Sequence, residues 1–197
     1  MPTLVVPFRG ADGKSRLEPL NAAGRARLAQ AMLADVLAVA CEVGTTFVVA
    51  PAPFAGGAAI HVADPKRGLG AAVRAGLDAA AAAGEPAPYV VVNADLPCVS
   101  PRDLLALAGA VRDGGLAYAA AADGTTNALA LASPDLFEPL YGPGSAERFA
   151  ALGPSLGVNA PNLMDDVDTV ADLERLAPRL GPRTRRTLAA LRVEAVA

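Results

Sequence analysis

The chain of 197 residues has no tryptophan, only two cysteines and a single histidine, and each scarcity excludes a kind of chemistry. Cys41 and Cys98 are not spaced as metal ligands are, and two isolated thiols are typical of a protein in a reducing compartment. His61 lies in a predicted strand and has no cysteine partner in the sequence. We therefore expect a cytoplasmic protein whose chemistry uses neither a thiolate metal centre nor a Cys–His nucleophile.

Long apolar runs and a surplus of positive charge are also missing. Arg, Asp and Gly interrupt the alanine-rich stretches and the chain enters a predicted strand at once, so we expect no signal peptide and no membrane span. The net charge of −3 argues against a broad surface for nucleic acid. With 53% hydrophobic residues, residues 1–197 are predicted to form a single domain with a basic tail from about residue 182.

Strand-like and helix-like segments alternate along the chain. Helices are predicted after Asn21, which precedes a periodic apolar run ending at Gly44, and after the capping residues Ser100 and Thr169. This alternation predicts an α/β fold of three layers, with helices on both faces of a mostly parallel sheet. Apolar runs predict strands at residues 3–8, 45–50, 58–63, 89–93, 116–122 and 127–132, with a late strand at 162–168.

A lysine follows the first predicted strand, in the loop GADGKSRL. This loop is too short for a P-loop, because the spacing G-x-x-x-x-G-K-[ST] would need a glycine where Phe8 stands, five residues before Gly13. Lys14 and Lys66 are nevertheless the only lysines among 17 basic residues, and both lie in glycine-containing loops. A compact ammonium there suits a phosphate. Two solvated loop lysines are the alternative.

Three aspartates follow predicted strands at the edge of the sheet where ligands bind in such folds. Asp95 comes directly after the strand at 89–93. Asp166 and Asp168 end the predicted late strand, where a spacing of two residues directs both to one face and Asp165 to the other. Neighbouring carboxylates repel one another, and a bound Mg²⁺ with oxygen ligands relieves that repulsion. Turn formation or helix capping is the alternative for each.

The segment G-P-G-S at 142–145 predicts a helix start. Ser145 is the expected N-cap, and the glycines before it leave backbone N–H groups facing outward, where a carboxylate or phosphate could bind. A capped helix without a ligand is the alternative.

Five motifs together point to a family: K-S-R-L at 14–17, A-D-L-P at 94–97, T-N-A-L at 126–129, G-P-G-S at 142–145 and D-V-D at 166–168. In this order the chain resembles, over about residues 3–175, the phospholactate/phosphoenolpyruvate guanylyltransferases (CofC/FbiD type) of coenzyme F420 biosynthesis. The resemblance implies a nucleotide-diphospho-sugar transferase fold of the GT-A-like kind. It also implies transfer of GMP from GTP to phosphoenolpyruvate, 2-phospho-L-lactate or 3-phosphoglycerate, with release of pyrophosphate.

The resemblance assigns roles to residues and to partners. It implies Mg²⁺ as the cofactor and a downstream deazaflavin transferase as the consumer of the product, and a homodimer is compatible with it. The expected catalytic residues are Lys14, Arg16 and Asp95, and the expected metal ligands are Asp95, Asp166 and Asp168. The acid is expected at Thr126, Asn127, Gly142, Ser145 and Asp166, and the nucleotide at Pro7, Arg9, Lys14, Lys66, Gly68 and Gly70.

The chain departs from the family pattern at three positions. Gly70 replaces a usual asparagine, Phe149 a frequent histidine, and Arg9 a usual lysine. Two other readings therefore stay open. One is a different nucleotidyltransferase of this fold, similar to the molybdopterin guanylyltransferases or the cytidylyltransferases. The other is a non-catalytic ligand-binding module.

Overall fold

A computed structural model describes residues 1–10, 17, 20–54, 57–112 and 114–194 of the chain. Seven strands form one sheet within these residues. The strands are β1 (Thr3–Pro7), β2 (Thr46–Ala50), β3 (Ile60–Ala63), β4 (Tyr89–Val92), β5 (Leu116–Ala120), β6 (Thr126–Leu131) and β7 (Ser155–Gly157). The helices are α1 (Ala22–Val43), α2 (Leu69–Ala82), α3 (Pro101–Gly109), α4 (Ser145–Ala150), α5 (Pro161–Met164), α6 (Val170–Leu176) and α7 (Pro182–Glu194), with a 3₁₀ turn at Pro134–Leu136.

The strand order is β3-β2-β1-β4-β6-β5-β7. β6 runs antiparallel to its neighbours β4 and β5, and every other neighbouring pair is parallel. Alternate residues of β1 pack into different layers: Leu4 and Val6 join the core under α1 and α3, whereas Val5 joins the core under α2 and α4. The predicted three-layer, mostly parallel fold is confirmed.

α7 docks against α1 through a buried acid. Asp35, in the middle of α1, is 4% exposed and accepts hydrogen bonds from the N–H groups of Arg183 (3.0 Å) and Thr184 (2.8 Å). A carboxylate of one helix therefore caps the N-terminus of another. Gly181 leaves the room for it, because a Cβ there would lie 2.4 Å from the Asp35 carboxyl carbon.

Most of the predicted element boundaries are confirmed. Asn21 caps α1 by accepting the Gly24 N–H at 2.8 Å, and Ser100 and Thr169 begin α3 and α6 with capping boxes. Gly44 ends α1, and the basic tail forms α7. Cys98 is buried, and Cys41 on α1 is half-buried. None of the described helices combines the length and the apolar character needed to cross a membrane.

The late strand predicted at 162–168 is wrong. Pro161 begins the short helix α5, and the Asp165 N–H bonds back to the Pro161 carbonyl at 3.1 Å, so the segment turns and does not extend. The sheet edge beside β5 is taken by β7, which the sequence did not predict. Asp166 and Asp168 therefore lie in a loop between α5 and α6.

Candidate active site

Three carboxylates meet beyond the end of β4. Asp95, Asp166 and Asp168 each offer an oxygen, and these oxygens lie within 4.8 Å of one another. The loop carrying the last two reaches Asp95 because the Val167 N–H donates to the Asp95 carbonyl at 3.1 Å. The Val167 side chain is fully buried between α1, α6 and α7, so the aspartates on either side of it are left to face Asp95. The predicted grouping is confirmed without the predicted strand.

Negative charge accumulates at this acidic cluster (Asp95, Asp166 and Asp168). Burial raises the pKa of Asp166, the charges of Asp95 and Asp168 raise it further, and a hydrogen bond from Asn127 lowers it. A cation among the three carboxylates would relieve both the burial and the repulsion. A set of carboxylate oxygens is what a hard divalent cation prefers, so the donors present fit such an ion.

A cleft of about 200 Å³ lies beside this cluster. It is lined by Pro7–Gly10 at the end of β1, Ala29 and Met32 of α1, Leu69 at the start of α2, Asn93–Asp95 after β4, and Asp168. Pro7 and Arg9, predicted nucleotide contacts, thus share one cleft with two predicted metal ligands. Lys14 and Arg16 lie outside the described residues.

Three predicted nucleotide contacts do not line the cleft. Lys66 and Gly68 are exposed in the loop after β3, where the Lys66 N–H donates to Asp64 Oδ1 at 2.8 Å and Gly68 adopts φ 94°. Gly70 packs against Pro139, just after the 3₁₀ turn, because a Cβ at position 70 would lie 2.6 Å from Pro139 Cβ. This contact gives a physical reason for glycine where the family usually has asparagine.

The residues predicted for the acid lie together, but two details of the prediction were wrong: the N-cap of the helix and the free backbone N–H groups. Gly144, with φ 70°, is the N-cap of α4, and Ser145 is the first helical residue. The N–H groups of Ser145 and Ala146 donate to the Gly142 and Gly124 carbonyls, so they are not free for an anion. Positive φ angles at Gly142 and Gly144 fold the loop back to make these bonds.

The Ser145 hydroxyl also has a protein partner. It donates to Thr126 Oγ1 at 3.0 Å, and both residues are buried, with 0% and 2% of their surface exposed. Next along β6, the side-chain amide of Asn127 donates to Asp166 Oδ1 (3.4 Å) and to the Met164 carbonyl (3.3 Å). β6 thus connects the loop predicted for the acid to the acidic cluster.

One polar residue of the cleft was missed from the sequence. Asn93 directly follows β4, lines the cleft beside Asp95, and directs its amide towards the Thr126 carbonyl at 3.5 Å. The sequence could have identified Asn93, because it is a polar residue at the carboxyl end of a central strand, where ligands bind in such folds.

Comparison with known proteins assigns the family. A sequence model of the MobA-like NTP transferase domain matches residues 18–151. Phosphoenolpyruvate guanylyltransferase from Sphaerobacter thermophilus is 35% identical, with 88% of this chain and 91% of that protein covered. The chain belongs to the phosphoenolpyruvate guanylyltransferase family. Two further proteins of the same name support this assignment. The one from Rhodococcus erythropolis is 37% identical, with 92% of each chain covered, and the one from Streptomyces avermitilis is 38% identical, with 96% of this chain and 94% of that one covered.

Solved structures agree on the fold of this guanylyltransferase family member. A protein assigned as a nucleotide-diphospho-sugar transferase from Desulfovibrio desulfuricans G20 superposes with a TM-score of 0.71 at 18% identity, covering 96% of each chain. A 4-diphosphocytidyl-2C-methyl-D-erythritol synthase reaches 0.57 at 15% identity, covering 95% of this chain and 97% of that one. The chain is an enzyme of the nucleotidyltransferase class, and neither alternative reading is favoured.

Proposed function

We propose that this enzyme transfers GMP from GTP to the phosphate of phosphoenolpyruvate and releases pyrophosphate, as a step of coenzyme F420 biosynthesis. The observation that carries the proposal is the identity of 35–38% over most of both chains with proteins of that name. The cleft between β1, α2 and β4, with three carboxylates at its side, supports it because a nucleotide with its cation needs both features.

The reaction needs no covalent nucleophile. An oxygen of the acid's phosphate attacks the α-phosphorus of GTP, and the bond from that phosphorus to its bridging oxygen breaks as pyrophosphate leaves with the electron pair. Both reactants are polyanions, so catalysis is chiefly alignment and neutralisation of charge. Mg²⁺ held by Asp95, Asp166 and Asp168 would neutralise part of the triphosphate charge.

The chain's own residues supply the rest of the machinery. Lys14, Arg16 and Arg9 bring positive charge to the phosphates, and the backbone of Pro7–Gly10 and of Leu69, which line the cleft, contacts the guanine. Thr126, Gly142 and Ser145 form the site of the acid, with Asn127 bridging to Asp166.

The proposal extends to the setting of the enzyme. Residues 1–197 act as one domain, and the product passes to a downstream deazaflavin transferase, either from a monomer or from a homodimer. The free cysteines Cys41 and Cys98 fit the reducing cytoplasm.

The test is an assay of the purified protein with GTP, Mg²⁺ and, separately, phosphoenolpyruvate, 2-phospho-L-lactate and 3-phosphoglycerate. Because the products are unstable, the downstream transferase and its deazaflavin acceptor are present as a trap. We expect pyrophosphate release and a trapped product with phosphoenolpyruvate, and GTP used well ahead of ATP, CTP and UTP. Equal use of ATP and GTP would move the enzyme out of this family's reaction. Failure to release pyrophosphate with any of the nucleotides and acids would instead favour a non-catalytic ligand-binding module.

A further inference from the structure

The residue next to the acidic cluster anchors its loop. Asp165 turns away from Asp95, and each of its carboxylate oxygens accepts from a different arginine: Oδ1 from Arg175 Nη1 and Oδ2 from Arg179 Nη2, both at 2.6 Å. Residues 166–168 belong to no helix or strand. Side chains therefore supply much of what holds Asp166 and Asp168 in place.

Arg175 and Arg179 belong to a hydrogen-bond network, and one branch of it ends on the backbone N–H of Asp168. Arg175 Nη2 donates to Asp172 Oδ1 at 3.0 Å. The other oxygen of Asp172 accepts the Asp168 N–H at 3.2 Å and the Thr169 N–H at 2.9 Å. Arg175 thus holds the segment at both ends, through Asp165 before the two metal-ligand candidates and through Asp172 after them.

The other branch connects the two loops that carry the acidic cluster. Arg179 Nη1 donates to Asn162 Oδ1 at 2.8 Å, and Asn162 Nδ2 donates to Asp103 Oδ2 at 3.0 Å. The same oxygen of Asp103 accepts the N–H (2.9 Å) and the hydroxyl (2.5 Å) of Ser100. Ser100 ends the loop that begins at Asp95, so Arg179 connects the Asp95 loop to the Asp166–Asp168 loop.

We propose that Arg175 and Arg179 are positioning residues that hold Asp95, Asp166 and Asp168 at the spacing required for a divalent cation. Three neighbouring carboxylates repel one another and favour a looser loop. The two arginines oppose this from outside the cluster, because their forked guanidinium groups each bind two partners at fixed angles. This proposal depends on the proposed function in one respect, which is that the acidic cluster binds a cation.

The experiment titrates Mn²⁺ alone into the full chain, without GTP or acid, and follows free Mn²⁺ by electron paramagnetic resonance. Arg175→Gln and Arg179→Gln should each weaken Mn²⁺ binding about tenfold, as loss of a partner behind a metal ligand commonly does. Arg27→Gln is the matched control: its side chain is 48% exposed, against 51% for Arg175 and 40% for Arg179, and its ion pair with Glu194 at 2.8 Å shares no residue with the ion pairs of Arg175 and Arg179. This variant should bind Mn²⁺ like the wild type.

Two further variants keep the test decisive. Arg179→Lys retains the charge but reaches one partner at a time, so it should show an intermediate loss, and it replaces Arg179→Gln if that variant fails to fold. Asp165→Asn combined with Arg179→Gln should weaken binding by less than the product of the single effects, since both act through one contact. Unchanged Mn²⁺ affinity in the folded arginine variants, or an equal loss in Arg27→Gln, would overturn the proposal. Failure of guanylyl transfer by the wild type would count only against the proposed function.

Discussion

Single residues act in this enzyme mainly through charge and through buried hydroxyls. The three carboxylates of the acidic cluster can lie close together because each aspartate is only half-buried and a bound cation would offset their negative charge. The buried Ser145 hydroxyl is stabilised by donating a hydrogen bond to Thr126 Oγ1. Both arrangements bring together residues far apart in the sequence, and each one supports a prediction.

Asp95→Asn and Asp168→Asn should each lower kcat/KM about a hundredfold or more at saturating Mg²⁺, because each removes a charged ligand from the cation. Circular dichroism and the thermal midpoint should stay close to those of the wild type, since neither change creates a cavity. Asp78→Asn, at an exposed ion pair on α2, is the control and should be fully active. Normal turnover in either test variant would remove that residue from the metal site.

Ser145→Ala should raise the KM for the acid about tenfold and leave the KM for GTP nearly unchanged. It removes the donor to Thr126 Oγ1, so the free energy of unfolding should also fall by about 1–2 kcal/mol. Steady-state kinetics and urea unfolding measure the two effects. Ser133→Ala, which removes a cap of the 3₁₀ turn, is the control for kinetics. Loss of GTP binding with normal KM for the acid would reverse the assignment of the two substrates.

Helix α2 is positioned by close contacts at its glycines as well as by its apolar face. α2 crosses β1 at Gly76, where a Cβ would lie 2.4 Å from Val5 Cγ1. The same helix packs against Pro139 at Gly70. These contacts set where α2 begins and therefore where Leu69 borders the cleft.

Gly70→Ala should destabilise the protein by about 1–3 kcal/mol, because its Cβ would overlap Pro139 and force α2 or the turn to shift. Gly109→Ala is the matched helical control: nothing lies within 4 Å of its Cβ position, so it should be neutral or stabilising by up to about 1 kcal/mol. Urea unfolding compares the two variants. Equal stability of both would show that the Pro139 contact yields without cost.

The whole molecule should lose stability in acid partly through the network around Asp165. Burial raises the pKa of Asp165, but hydrogen bonds from Arg179 and Arg175 and their charges outweigh it and hold the pKa below its usual 3.8. Burial likewise raises the pKa of Asp172, and hydrogen bonds led by that of Arg175 lower it overall. A carboxylate whose pKa is lower in the folded state than in the unfolded state stabilises the protein at pH values above its pKa in the unfolded state. This stabilisation is lost as the pH falls through the pKa of the folded state.

The free energy of unfolding should therefore fall as the pH drops below about 4, the usual pKa of an unfolded aspartate. It should fall less in Arg175→Gln, by on the order of 1 kcal/mol because the network is exposed. Urea unfolding across pH 3 to pH 7, about the range where these acids titrate, measures the difference. Arg27→Gln should keep the wild-type pH dependence. Identical curves for wild type and Arg175→Gln would show that this network does not contribute to acid unfolding.

The sequence alone determined the features that depend on neighbouring residues. Apolar runs predicted six of the strands, and capping residues such as Asn21, Ser100 and Thr169 placed helix starts, because strand and cap signals act within a few residues. The order of five short motifs led to the correct family. Tertiary structure decided what depends on distant partners: Val167 anchors its loop and brings Asp166 and Asp168 to Asp95, β7 takes the sheet edge, and the Ser145 hydroxyl bonds Thr126. Such contacts leave no local pattern, since their energy comes from surfaces that only the folded chain brings together.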